Sequence, residues 1–351
     1  MTRAADATFT PEADTLARLK KGASAHKYTH GHALILSGPP GRGGAARLAA
    51  RGALRIGAGV VTVGAMPEAI AEHAARLDAV MLRVVEDAEG LREVLADARI
   101  NALCLGPGLG LDARAAGLVA VALGALPEAP PLPSPPHGGE GRRTDPEAVP
   151  IDTGSGGESA PPAPPLPLVG RGWGWGARQG SAALRPTVLD ADALTLLARD
   201  PDLFAHLHKN CILTPHAGEF SRLFPDIAAK LAEPATTGPA YSKVDATREA
   251  AARAGCVVLF KGPDTVIADP SGRCSINSAH YDRAAPWLAT AGAGDVLAGF
   301  IAGLLARGFV PMQAAETAAW LHVECARTFG PGLIAEDLPE MLPQVFRALG
   351  L

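Results

Sequence analysis

The amino-acid sequence predicts an α/β protein of three layers, a mostly parallel central sheet with helices on both faces. Three observations carry this. Short unbroken runs of Val, Ile and Leu recur along the chain, as strands buried on both faces require. Ala- and Leu-rich stretches of helical spacing alternate with them, the rhythm of parallel crossovers. Glycine-rich and polar motifs stand directly behind the apolar runs, at the strand ends where open parallel sheets hold their ligands.

HALILSG (32–38) reads as a strand ending at Gly38, GRGGAARLAARGALRIG (41–57) as a helix, and GVVTVG (59–64) as the next strand. INALCLG (100–106) is a strand that enters Pro107-Gly108-Leu109-Gly110, followed by a helix to about Leu126. PTVLDADAL (186–194) and NCILTPHAGEF (210–220) each join a short strand to a helix start. A helical stretch near 243–254 precedes two strands, GCVVLFKG (255–262) and TVIADPSG (265–272), and helices begin at about Asp295 and Met312.

Between these regions, about 127–180 is dense in Pro, Gly and Ser and cannot bury enough apolar surface to offset the entropy of ordering it. The expectation is one domain over 1–351 interrupted by a disordered insert. Loop length adds only about 0.6 kcal/mol of closure entropy per doubling, so the fold tolerates it. Trp173, Trp175 and the proline-rich PPLPSPP lie within this insert and are read as incidental to it.

With 351 residues, 48% hydrophobic and 19% charged, the chain has material for a large core. Its formal net charge of -4 gives no electrostatic footprint for nucleic acid or an anionic membrane, so neither partner is expected. Five cysteines, widely spaced and without a CxxC pair, indicate neither a disulfide framework nor a zinc site. No apolar leader opens the sequence and no run approaches the ~18 apolar residues of a membrane span. A cytoplasmic protein with reduced thiols is expected.

ATAGAGD (289–295) carries the strongest chemical signal. Glycines followed by a helix start bring free amides and the positive end of a helix dipole to an anion. Asp295 at the lip of such a cradle would be repelled by bound phosphate unless it serves as a base or holds a metal; an ordinary helix cap is the alternative. In Lys261-Gly262-Pro263-Asp264-Thr265, a Gly-Pro turn exposes amides and Lys261 can neutralise phosphate, which is compatible with a plain hairpin turn. His216 follows Pro215 at a strand end, Glu219 suits a cap or a water-bridged metal, and Asp190 and Asp192 suit Mg2+, ribose hydroxyls or capping. His26, His30 and His32 have no partners at metal-ligand spacing and are read as a solvated loop. Neither a Walker A loop nor a GxGxxG turn follows the first strand.

Together, AARLAARGALRIGAGVVTV, CLGPGLG, PTVLDADAL, ILTPHAGEF, VVLFKGPDTVIADPSG and LATAGAGDVLAGFIAGLLARG resemble, in order, the ADP-dependent NAD(P)H-hydrate dehydratase family of the ribokinase-like fold. The resemblance implies repair of the S epimer of hydrated NADH or NADPH. ADP phosphorylates the ring hydroxyl, phosphate leaves, and AMP and phosphate result, with Mg2+ as cofactor and a homo-oligomeric assembly. It implies Asp295 as the base on the hydrate, contacts to the hydrate from Ala53, Gly108 and His216, and a nucleotide site of Lys261, Gly262, Pro263, Asp264, Thr265 and Gly294. It assigns no metal ligands.

The sequence departs from the family at Ser37-Gly38-Pro39-Pro40, where a Gly-Gly-Ser turn is usual and two prolines now remove backbone donors. Many relatives carry an epimerase domain ahead of this region; about twenty residues precede it here, so epimerase activity is not expected. The rival readings are a ribokinase-like kinase of a vitamin or sugar, and a nucleotide-binding protein without catalysis.

Overall fold

Nine strands form one sheet in the order β3-β2-β1-β4-β5-β6-β7-β8-β9. They are β1 (His32–Leu36), β2 (Val60–Ala65), β3 (Met81–Val84), β4 (Ala102–Leu105), β5 (Thr187–Leu189), β6 (Cys211–Leu213), β7 (Val257–Phe260), β8 (Asp264–Ala268) and β9 (Cys274–Ser278). β3 to β7 run parallel, with Ile35 of β1 aligned to Val63 of β2 and Cys104 of β4; β8 and β9 complete an antiparallel meander. This computed structural model describes residues 9–22, 25–125, 184–234, 236 and 238–351. Residues 1–126 and 184–351 make up one compact unit. The expected insert at 127–180, with Trp173, Trp175 and PPLPSPP, lies outside the described residues.

The helices are α1 (Ala13–Leu19), α2 (Gly44–Arg55), α3 (Ile70–Ala74), α4 (Ala88–Leu95), α5 (Ala113–Ala122), α6 (Ala191–Arg199), α7 (Pro201–Ala205), α8 (Ala217–Leu223), α9 (Pro225–Ala232), α10 (Lys243–Ala254), α11 (Ala293–Ala306), α12 (Pro311–Phe329) and α13 (Asp337–Ala348). The two-residue period of the strands deals their side chains to two cores. Ala33, Ile35, Val61, Val63, Cys104, Val188 and Ile212 point to the layer containing α2, α11, α12 and α13. Leu34, Leu36, Leu103, Leu105, Leu189 and Leu213 point to the layer built from α4 through α10. The predicted three-layer α/β/α architecture is the observed one. Among the described residues no helix is long and apolar enough to cross a membrane.

Helix α11 fixes the site's position. Twelve of its fourteen residues are buried, the exceptions being Gly294 and Asp295 in the first turn. It lies so close to α2 that a Cβ on Gly299 would stand 2.1 Å from the Ala49 carbonyl oxygen, and one on Gly303 2.6 Å from that of Ala53. Small residues on both helices permit this backbone approach. Ala53, expected against substrate, is wholly buried, and its backbone packs α2 on α11.

Several elements escaped the sequence patterns. β3 is a mostly exposed edge strand and β9 (CSINS) is polar, so neither shows an apolar run. His32 is not in a solvated loop; it opens β1, is buried, and its Nε2 lies 2.7 Å from Thr62 Oγ1. His26 instead starts a short 3-10 turn at 27–30, its Nδ1 accepting from the Tyr28 N–H at 3.4 Å.

Candidate functional site

The carboxyl ends of β1, β4, β5, β6 and β7 are neighbours, and the loops behind them interlock. β1 connects towards β2 and β4 towards β5, so the strand order reverses between β1 and β4, the position at which open parallel sheets hold their ligands. Gly38 and Gly108 meet there: a Cβ on Gly38 would fall 1.7 Å from the Gly108 carbonyl oxygen. Gly108 itself has φ +65, and a Cβ on it would stand 2.8 Å from the Arg42 carbonyl oxygen. Only glycine satisfies both the left-handed backbone and that approach. Pro39, first of the two unexpected prolines, starts a turn closed by the Arg42 N–H at 3.1 Å, and Glu72 accepts from the Gly41 N–H at 2.7 Å.

One step along the sheet, Asp190 follows β5. It stands at the cap position of α6 yet makes no capping bond; its buried carboxylate accepts from Lys261 Nζ at 2.8 Å. Asp192 accepts from the Gly110 N–H at 2.9 Å and lies 3.8 Å from Arg42, tying the loops after β4 and β5 together. After β6, His216 and Glu219 form a reciprocal cap on α8. The His216 Nδ1 accepts from the Gly218 and Glu219 N–H groups, and Glu219 Oε2 accepts from the His216 N–H at 2.8 Å. That leaves the neutral ring's proton on Nε2, 3.5 Å from Glu219 Oε1, with over half of the side chain exposed. Glu219 Oε2 also lies 3.9 Å from Lys261 Nζ.

Lys261 directly follows β7, its N–H donating to the Pro215 carbonyl at 2.8 Å, and its ammonium joins Asp190 and Glu219. Burial opposes the charge, but Asp190, Glu219 and Asp295 outweigh it and hold the Lys261 ammonium above its ordinary pKa. Asp295 is the third residue of α11, not its cap. The helix starts at Ala293, two residues earlier than expected, behind Gly292 at φ +88. A Cβ on Gly292 would come within 2.7 Å of Leu48 and 2.9 Å of Ala335, so glycine is required there. Burial, reinforced by Asp190 and only partly offset by Lys261, pushes the Asp295 carboxyl up to about 6.

A cavity of about 540 Å3 opens beside this charge cluster. Lys261, Gly262, Pro263, Thr265 and Gly294 line it, with largely apolar walls from residues 279–289, α11 and α12. Asp264 and Asp295 are not part of its lining. A Cβ on Gly294 would stand 3.5 Å from Lys261 Nζ, which measures how close the α11 start and the Lys261 ammonium are. The structure thus brings together Asp295, Gly294 and the Lys261–Thr265 turn, places His216 and Gly108 on the adjoining loops, and leaves Ala53 in the core. His322, which the sequence reading missed, also lines the cavity. Its Nε2–H donates to the Ala293 carbonyl at 2.9 Å, and burial pushes its pKa down to about 4, so it stays neutral. Nothing in the Ala-rich sequence of α12 distinguishes it. Among the described residues no three His, Cys, Asp or Glu side chains converge to hold a metal.

Comparison with known proteins decides the family. The family model described as NAD(P)H-hydrate dehydratase matches residues 33–126 and 175–343. The chain belongs to the NAD(P)H-hydrate dehydratase family. It is 32% identical over 346 residues to the bifunctional NAD(P)H-hydrate repair enzyme Nnr of Moorella thermoacetica, covering 94% of this chain and 52% of that one. To the enzyme of the same name from Gloeobacter violaceus it is 33% identical over 311 residues, 87% of this chain and 46% of that one. The chain therefore spans about half the length of these curated relatives. Among solved structures, the ADP/ATP-dependent NAD(P)H-hydrate dehydratase of Bacillus subtilis, co-crystallised with ATP/Mg2+, superposes with a TM-score of 0.64 at 26% identity, covering 98% of this chain and 99% of that one. A ribokinase-like superfamily protein of Enterococcus faecalis shares the fold, with a TM-score of 0.65 at 19% identity and coverage of 96% and 95%.

Proposed function

We propose that this dehydratase-family chain converts the S epimer of NAD(P)H hydrate to NAD(P)H at the expense of ADP, releasing AMP and phosphate. One observation carries the reading: the two residues of α11 that are not fully buried are Gly294, which lines the cavity beside Lys261, and Asp295, a half-buried carboxylate pushed up to about 6 next to it. Family membership and the co-crystallised Bacillus subtilis relative support an adenine nucleotide in that cavity.

On this reading the nucleotide enters between the Lys261–Thr265 turn and α12. The amides at the start of α11, a helix of fourteen residues, meet its terminal phosphate, and Lys261 offsets the anionic charge. The hydrate lies across Gly108 and His216 with its ring hydroxyl at Asp295. As the hydroxyl oxygen bonds to the terminal phosphorus and the bond to AMP breaks, Asp295 takes the hydroxyl proton. A loose phosphoryl-transfer transition state needs little proton removal early, so a base of pKa about 6 suffices near neutrality. The ring nitrogen then expels phosphate, and loss of a proton from the adjacent carbon restores the dihydropyridine.

Mg2+ is usually held by one or two carboxylates and by substrate phosphates, and Asp190 and Glu219, gathered at Lys261, with Asp295, whose charge Asp190 and Lys261 influence, would be the carboxylates to hold it. When bound, it would supply charge neutralisation on the phosphates. The break in the family match between 126 and 175 supports one dehydratase domain with an insertion.

Product analysis tests the reading. Incubated with hydrate, ADP and Mg2+, the protein should form AMP, phosphate and reduced cofactor in equal amounts. A phosphorylated product that persists would instead identify a kinase, and nucleotide binding without turnover a silent binder.

A further inference from the structure

Behind the Lys261–Thr265 turn lies a cation that the reaction scheme does not use. Lys243 is the first residue of α10, where Ser242 and Asp245 form a capping box that fixes the helix start. From there its ammonium reaches under the turn, donating to the Asp264 carbonyl at 2.6 Å and to the Lys261 carbonyl at 3.1 Å. It also lies 4.3 Å from the centre of the Phe260 ring, in cation-π range. Phe260 in turn stacks on Phe220 of α8, with centroids 4.1 Å apart and planes 3° from parallel. The ammonium is therefore held by both ends of the turn from below and by a ring anchored in the core.

Gly262 records the same contact from the other side. A Cβ built on it would stand 2.7 Å from Lys243 Nζ. An ammonium that satisfies two backbone carbonyls is worth more than a neutral donor, because bonds to charged groups contribute about twice as much. It also adds positive charge directly behind a turn that lines the cavity.

We propose that Lys243 is a positioning residue for the nucleotide: by clamping the carbonyls of Lys261 and Asp264 it sets the shape of the Lys261–Thr265 turn that receives the adenine nucleotide. The proposal rests on the reading of that turn as the nucleotide site. The lysine touches neither the reacting phosphoryl group nor the hydrate, so its effect belongs to nucleotide affinity and not to the chemical step. Burial lowers its pKa to about 8, a cost that would not be sustained by a surface lysine without such partners.

The test compares wild type, Lys243→Met and Lys243→Arg as full chains. ADP affinity is measured by calorimetric titration with Mg2+, and KM for ADP, KM for hydrate and kcat are measured separately. Lys243→Met should weaken ADP binding and raise its KM about tenfold, with kcat and the hydrate KM within about twofold; Lys243→Arg should recover most of the loss. An unchanged ADP KM in Lys243→Met, or an equal fall in all three parameters with a lowered melting temperature, overturns the proposal. If wild type itself binds no adenine nucleotide, the nucleotide reading of the turn fails and the role of Lys243 falls with it.

Discussion

Replacing Asp295 by Asn should stabilise the protein while removing its activity. In the folded chain this carboxyl titrates at about 6 instead of 3.8, because burial and Asp190 disfavour its charge more than Lys261 favours it. Between those two values the folded state binds more protons than the unfolded one, so stability falls as pH rises through the window. The loss is complete above about 6. Two units at about 1.4 kcal/mol each make the penalty about 3 kcal/mol at pH 8 and about half that at pH 5. Asn keeps the shape of the side chain and carries no charge at either pH. For a domain of this size the gain at pH 8 corresponds to a melting temperature raised by roughly 5 °C or more. Scanning calorimetry of both proteins at pH 5 and pH 8 reads it directly, the difference widening with pH. A difference that is independent of pH, or a less stable Asn variant, would refute the argument that the carboxylate is held against its electrostatic preference for function.

Other outcomes follow from the same geometry. The kcat/KM for hydrate should rise with pH and level off through about 6, as Asp295 loses its proton; a flat pH profile would remove it as the base. Lys261→Met should move that midpoint upward, since the ammonium is the one neighbour that favours the charged carboxylate, and should weaken ADP binding as it strands the buried Asp190. Gly299→Val should destabilise by about 3 kcal/mol or unfold the protein in a denaturant titration, because even a Cβ there would stand 2.1 Å from the Ala49 carbonyl oxygen.

Apart from β3, the parallel strands and their order of appearance were legible because each is an unbroken apolar run buried on both faces. β3 and β9 were not, since an exposed edge strand and a polar antiparallel strand carry no such run. At the site, the turn at 261–265 could be located from its glycine and its position behind β7, and Gly294 from the ATAGAGD motif that carries the resemblance. What sequence could not supply is the partnering. Asp190 reads equally well as a cap or a ligand until Lys261, 71 residues away, is seen to bond it. Glu219 proves to be both a cap and part of the charge cluster. For Ala53, a small residue on a helix serves close packing as readily as ligand contact, and its packing against α11 shows only once the two helices are placed together. Lys243 and His322 had no local signal, since each acts by reaching a backbone carbonyl of a distant segment.

The most direct test of the central claim follows the near-ultraviolet absorbance of reduced nicotinamide after the protein is added to the S-epimer hydrate of NADH with ADP and Mg2+, with Asp295→Asn in parallel. The account predicts a rise with wild type that requires ADP and is absent from the folded variant. A flat trace from wild type that binds ADP, or an equal rise from Asp295→Asn, would contradict it.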